Sequence, residues 1–112
     1  MTTPGLEVLQ PRPGAAVVVL TGEHDLASKP TLSELLDSLL VTHELVVADL
    51  SGVLFIDSST LAVFVTADRA ARGAGKKFRL QLATEPIVKR ILEISGLADH
   101  LDCVATRNEA LA

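Results

Sequence analysis

Five leucines in one short stretch settle most of what this chain can fold into. Leu32, Leu35, Leu36, Leu39 and Leu40 fall at i, i+3, i+4, i+7 and i+8, the spacing that lines one face of an α-helix. On either side stand runs with no such period. Residues 15–21 are an apolar, β-branched run, and residues 45–50 are apolar except for Asp49, as expected of strands lying inside a sheet. A helix between two such strands is a crossover, so the strands it joins run parallel and the connection is right-handed.

The remaining elements follow from local signals. Residues 6–10 read as a short strand, paired in a hairpin with residues 15–21 across the turn Pro11-Arg12-Pro13-Gly14. Pro30, with Thr31 and Glu34 at capping-box spacing, opens the leucine helix. Residues 53–56 form a short apolar connector into Asp57-Ser58-Ser59-Thr60, a cluster of N-cap residues. Leu61, Phe64 and Val65 begin a second helix, with Arg69 and Arg72 near its negative end and Gly73 and Gly75 to stop it. Residues 78–82 are a further strand. Thr84 caps a third helix, with Pro86 in its first turn, Ile87, Val88, Ile91 and Leu92 inward, Gly96 as the stop and Leu97 as the apolar contact after it. Residues 101–104 make a last strand, and Thr106 and Glu109 have capping-box spacing for a terminal helical turn. The order ββαβαβαβα specifies one α/β domain over residues 1–112, a mostly parallel mixed sheet packed against helices.

Composition narrows the function. The chain has 112 residues, 48% of them hydrophobic, enough for one core and too few for two. A net charge of −4 and the absence of Trp and Tyr argue against nucleic acid, which needs clustered cations and stacking rings. Cys103 is the one cysteine, so no intrachain disulfide and no thiolate metal site is expected. The start, Met1-Thr2-Thr3-Pro4-Gly5, lacks the charged and apolar regions of a signal peptide, and no apolar run is long enough to cross a bilayer. The expected location is the cytoplasm, without membrane attachment.

The chemistry concentrates between Asp49 and Leu61, where a strand's carboxyl end runs into a helix start. In open α/β sheets that edge is where ligands and partners bind. Three hydroxyls beside a carboxylate serve two purposes there. Asp57 or Ser58 can cap the helix, and Ser58 can accept a phosphate, which would add about −1.5 to −2 charges. An apolar partner docked over that rim could not tolerate an unpaired dianion.

The same run resembles the signature of STAS domains, specifically free-standing bacterial anti-sigma-factor antagonists. It carries Asp49, Ser51-Gly52-Val53, Phe55-Ile56-Asp57, Ser58-Ser59 and Leu61. Leu20-Thr21-Gly22-Glu23-His24-Asp25 is similar to the family's Gly-Glu-x-Asp, and Pro86 to Leu92 followed by Ser95-Gly96-Leu97 is similar to its third helix and closing Ser-Gly-Leu. The resemblance implies a domain that binds an anti-sigma factor and frees the sigma factor. The anti-sigma factor is also the serine kinase that switches binding off, and a serine phosphatase restores it. Carried over by position, Ser58 is the phosphoacceptor, with Ser59 and Thr60 as alternatives. Asp25, Val53, Leu54, Asp57, Ser58, Ser59 and Leu61 form the partner-binding surface. Thr60 stands where the family usually has glycine. No cofactor is expected on this chain, since the ATP arrives on the partner.

Other chemistries lack parts. No Gly-x-Ser-x-Gly elbow is present, and His24, His43 and His100 read as surface or loop residues, so a hydrolase is not expected. Glu23-His24-Asp25 alternates faces and converges poorly on a metal. Gly73-Ala74-Gly75-Lys76 ends a helix instead of starting one, the reverse of a phosphate loop. The rival reading keeps the fold and drops the switch: a STAS scaffold or adaptor subunit, for example of a lipid-transport complex.

Overall fold

The computed structural model describes residues 3–112; Met1 and Thr2, the first residues of the start expected not to be a signal peptide, lie outside them. The elements are β1 (Gly5–Arg12), β2 (Ala15–His24), α1 (Lys29–Thr42), β3 (Leu45–Ile56), α2 (Ser58–Gly73), β4 (Lys77–Gln81), α3 (Pro86–Ser95), α4 (Leu97–His100), β5 (Asp102–Val104) and α5 (Arg107–Leu111). The order is the expected one with a single extra helical turn, α4. The strands form one sheet in the order β1-β2-β3-β4-β5, antiparallel between β1 and β2 and parallel thereafter.

Because sequential parallel strands lie side by side and each crossover is right-handed, the crossover helices stack on one face. Leu32, Leu36 and Leu40 of α1, Phe64 and Ala67 of α2, and Val88 and Leu92 of α3 meet Val18, Leu20, Val46, Ala48 and Leu80 of the sheet there. Phe64 and Phe78 pack with ring centroids 6.2 Å apart. The opposite face buries Ala15, Val17, Leu45 and Val47 under Ala110 of α5.

Two helix starts differ from expectation. Ser28 precedes α1 without a side-chain cap bond, and Thr31 lies inside the helix, so Thr31 and Glu34 form no capping box. Glu85, not Thr84, is the N-cap of α3. Thr84 instead donates its hydroxyl to the Ser51 carbonyl at 3.0 Å. In both cases a proline in the first turn already fixes the helical start, so the side-chain bond is dispensable. At the other end of α3, Gly96 adopts φ 76°, the left-handed turn expected of it, and Leu97 enters the core behind it.

The largest departure is β3. The sequence predicts a strand over 45–50 and then a connector; the strand runs on to Ile56. It does so through two bulges. Between the pairs Val19↔Asp49 and Thr21↔Gly52, and again between Gly22↔Val53 and Glu23↔Phe55, β3 gains one residue on β2. Bulges of this kind bend a strand and re-aim its side chains. At Gly52 a Cβ would stand 3.0 Å from Thr21 Cγ2 and 3.3 Å from the Leu20 carbonyl, so the close approach of β2 to the bulge suits glycine.

Candidate functional site

The bent end of β3 and the start of α2 meet at Asp57. Its backbone is extended, and its carboxylate Oδ1 accepts the Ser59 and Thr60 N–H groups at 3.0 and 3.1 Å, capping the helix. The Ser59 hydroxyl also donates to Oδ1, at 2.5 Å. Burial pushes the Asp57 carboxyl up, but the hydrogen bonds from Ser59 and Thr60 outweigh it and hold the group below its ordinary value. Asp57 is therefore the cap, and Ser58 is released from that duty.

The three hydroxyls are not equivalent. Ser58, the first residue of α2, is exposed, and its hydroxyl makes no hydrogen bond among the described residues. Ser59 is half-buried and bonded to Asp57. Thr60 is fully buried, with Oγ1 3.2 Å from the His24 carbonyl. That burial removes Thr60 from the accessible rim on which an alternative phosphoacceptor was expected. A helix exposes only part of its first turn, and residue 60 faces inward.

The apolar members of the expected surface are rearranged as well. Val53 is 0% exposed and Leu61 9%, both inside the core. Their placement on a docking face is corrected: the second bulge turns Val53 and Ile56 inward and leaves Leu54 and Phe55 outward, at 47% and 40% exposure. Phe55, as an exposed ring, was not legible from an apolar run, because only the bulge decides which residues face out. Leu26, in the β2–α1 junction, is also exposed. Asp25 is exposed there, and its Oδ1 accepts the Ala27 N–H at 2.9 Å in a turn of its own. No hydrogen bond joins it to Ser58 among the described residues.

His24 is the histidine that departs from the surface or loop expected of it. It is wholly buried at the end of β2, whereas His43 is half-buried and His100 exposed. Its Nε2 donates to the Thr21 carbonyl at 3.0 Å, and Nδ1 lies 3.1 Å from Ser28 Oγ. Burial lowers its pKa, against the hydrogen bonds and the nearby Asp25 that favour the charged ring. With its ring directed inward and Asp25 outward, Glu23-His24-Asp25 does not converge on a metal.

Asp49, the first residue of the signature run, lies on the other face. It is buried, with Oδ2 2.6 Å from Arg107 Nη2 of α5 and Oδ1 accepting the Ser51 N–H at 2.8 Å. Arg107 also bonds Gln81 at 3.0 Å. Asp49 thus anchors α5 and the first bulge, and does not reach the rim.

With this geometry in place, comparison with known proteins decides the family. The family model described as "Mlab, STAS domain" matches residues 8–105. This chain belongs to the STAS domain family. No curated protein matches it. Among solved structures, an anti-sigma factor antagonist from Mycobacterium paratuberculosis superposes with a TM-score of 0.86 at 24% identity, over 97% of this chain and 92% of that one. A putative anti-sigma factor antagonist from Thermotoga maritima follows at 0.79 and 19%, over 96% and 91%. The Bacillus cell fate determinant SpoIIAA in its phosphorylated form gives 0.71 and 18%, over 96% of each chain. At these identities the likeness establishes that the STAS domain here has the fold of those proteins. Among the described residues no helix is long and apolar enough to cross a membrane.

Proposed function

We propose that this STAS domain is an anti-sigma-factor antagonist that works by partner switching in the cytoplasm. Unphosphorylated, it binds an anti-sigma factor that is also a serine kinase and so frees the sigma factor. Phosphate on Ser58 ends that binding, and a serine phosphatase restores it. The chain itself binds and does not catalyse, and touches no nucleic acid directly. One observation carries the reading: of three adjacent hydroxyls at the start of α2, Ser58 alone is both exposed and uncommitted, a few residues after the exposed Leu54 and Phe55.

The same geometry supports the direction of the switch. Asp57 already takes the Ser59 and Thr60 N–H groups, so a phosphate on Ser58 would find these helix-terminal donors occupied and a carboxylate beside it. On the free domain it would stay in water at little cost. Under a docked partner it would be stripped of water without a cation, and a penalty of ~3 kcal/mol weakens binding more than about a hundredfold. Ser58→Ala is expected to bind a cognate anti-sigma factor as the wild type does, and Ser58→Asp to lose most of its affinity, as read by calorimetry. Mass spectrometry after incubation with that kinase and ATP is expected to place phosphate on Ser58. Equal binding by the two variants, or no phosphate at residues 58–60, overturns the switch.

A second reading, an adaptor that never switches, draws on the matching family's own description, "Mlab, STAS domain", which is not that of an antagonist. Unmodified Ser58 with intact partner binding is the outcome that selects it.

A further inference from the structure

The start of α2 is tied to the β2–α1 junction through a single main-chain oxygen. The His24 carbonyl accepts the Asp57 N–H at 3.2 Å, the last rung between β2 and β3, and the Thr60 hydroxyl, also at 3.2 Å. Thr60 is 0% exposed, and its own N–H is held by Asp57 Oδ1 at 3.1 Å. Asp57 Oδ1 lies 3.4 Å from the Thr60 hydroxyl, farther than the carbonyl, so the carbonyl is the better acceptor for its one proton. The carbonyl is itself immobilised from behind. The His24 ring is buried and held at both nitrogens, by the Thr21 carbonyl and by Ser28 Oγ. The Ser28 hydroxyl also lies 3.2 Å from the Asp25 carbonyl, so the chain is pinned on both sides of His24.

Helix ends ordinarily fray, and Ser58 is the first residue of its helix. Phosphoryl transfer is sensitive to alignment, since the attacking oxygen must lie in line with the leaving group. Resting on the reading of Ser58 as phosphoacceptor, we propose that Thr60 is a positioning residue: its hydroxyl bolts the first turn of α2 to the His24 carbonyl and sets the direction in which Ser58 is offered to the kinase. In the transfer, the bond from the ATP γ-phosphorus to the bridging oxygen of ADP breaks and one to Ser58 Oγ forms. The Ser58 hydroxyl proton leaves to a base or water on the kinase side. Thr60 takes no part in those bonds.

The test compares Thr60→Val, which keeps the shape and removes the hydroxyl, with Thr60→Ser, which keeps the hydroxyl. Amide exchange measured by NMR is expected to quicken about fivefold at Asp57 and Ser59 in Thr60→Val, the weight of one neutral hydrogen bond, while core amides such as Val46 keep wild-type rates. With the kinase and ATP, kcat for phosphate transfer is expected to fall by a similar factor at unchanged KM for this protein. Thr60→Ser is expected to restore both. Wild-type exchange and kcat in Thr60→Val overturn the proposal alone, leaving Ser58 as acceptor. So does a Thr60→Ser that behaves like Thr60→Val, including the case in which Thr60→Val loosens the whole fold. No phosphate on the wild-type protein overturns the Ser58 reading and, with it, the role of Thr60.

Discussion

At the residue scale, the site depends on which polar groups are already bound. Asp57 spends its carboxylate on the helix, Thr60 spends its hydroxyl on a carbonyl, and Ser58 remains. His24 contributes a titration as well as a carbonyl. Its burial lowers the folded pKa, so the unfolded chain binds the proton more readily. Stability from this group is therefore present above the ordinary histidine value of about 6.5 and declines as pH falls from there toward the depressed folded value. Asp49 and Asp57 are shifted down, so their contributions are lost only at more acid pH, below the ordinary carboxylate value of about 4. Denaturant midpoints measured between about pH 5 and 8 are expected to fall on the acid side for the wild type and to be flatter for His24→Gln. Equal slopes would remove His24 as the cause.

At the element scale, α5 has only the five residues Arg107–Leu111, too few to persist alone. Side chains from the sheet hold it. Arg107 reaches Asp49 and Gln81, Arg79 donates to the Ala110 and Ala112 carbonyls at 2.9 and 2.7 Å, and Arg12 donates to Leu111 at 2.6 Å. The cap between Thr106 and Glu109, expected from their spacing, is present: Thr106 Oγ1 accepts the Glu109 N–H at 3.2 Å. Arg107→Met would leave the Asp49 carboxylate, 3% exposed, without its cation. A fully buried pair broken this way costs roughly 3–5 kcal/mol, and Arg107 is 35% exposed, so a loss of about 2–3 kcal/mol is expected by urea unfolding. A loss under about 0.5 kcal/mol, the scale of surface pairs, would show that Asp49 does not rely on Arg107. Another such tie is Lys76, whose Nζ donates to the last carbonyls of α1, at Leu40 and Val41.

At the scale of the whole molecule, stability and recognition occupy different places. The radius of gyration, 12.6 Å, is near the ~13 Å expected of a folded chain this long, and its larger core lies between the sheet and the crossover helices. Phe64 lies at its centre, wholly buried against Phe78, two turns along α2 from the rim. Phe64→Ala is expected to cost roughly 3–5 kcal/mol by urea unfolding. Affinity for the partner, measured where the variant stays folded, should be unchanged. A drop in affinity there would mean that the core and the rim are coupled.

Much of this was legible in the chain itself, and the division has a physical basis. The leucine spacing, the valine runs, the proline-led helix starts, the Gly96 stop and a cap at Asp57 or Ser58 each depend on residues within a few positions of one another. Local periodicity and local hydrogen bonding therefore specify the element types, their order, the parallel sheet and the place where α2 begins. The outward turn of Leu54 and Phe55, the burial of Val53, Thr60 and His24, and the service of Asp49 to α5 have no local signature. They follow from two added residues in the register of β3 against β2, and from bonds such as Thr60 to His24 and Arg107 to Asp49, whose partners are 36 and 58 positions apart. Which side chains face solvent at a strand's bent end is decided by the neighbouring strand, and that neighbour exists only once the chain has folded.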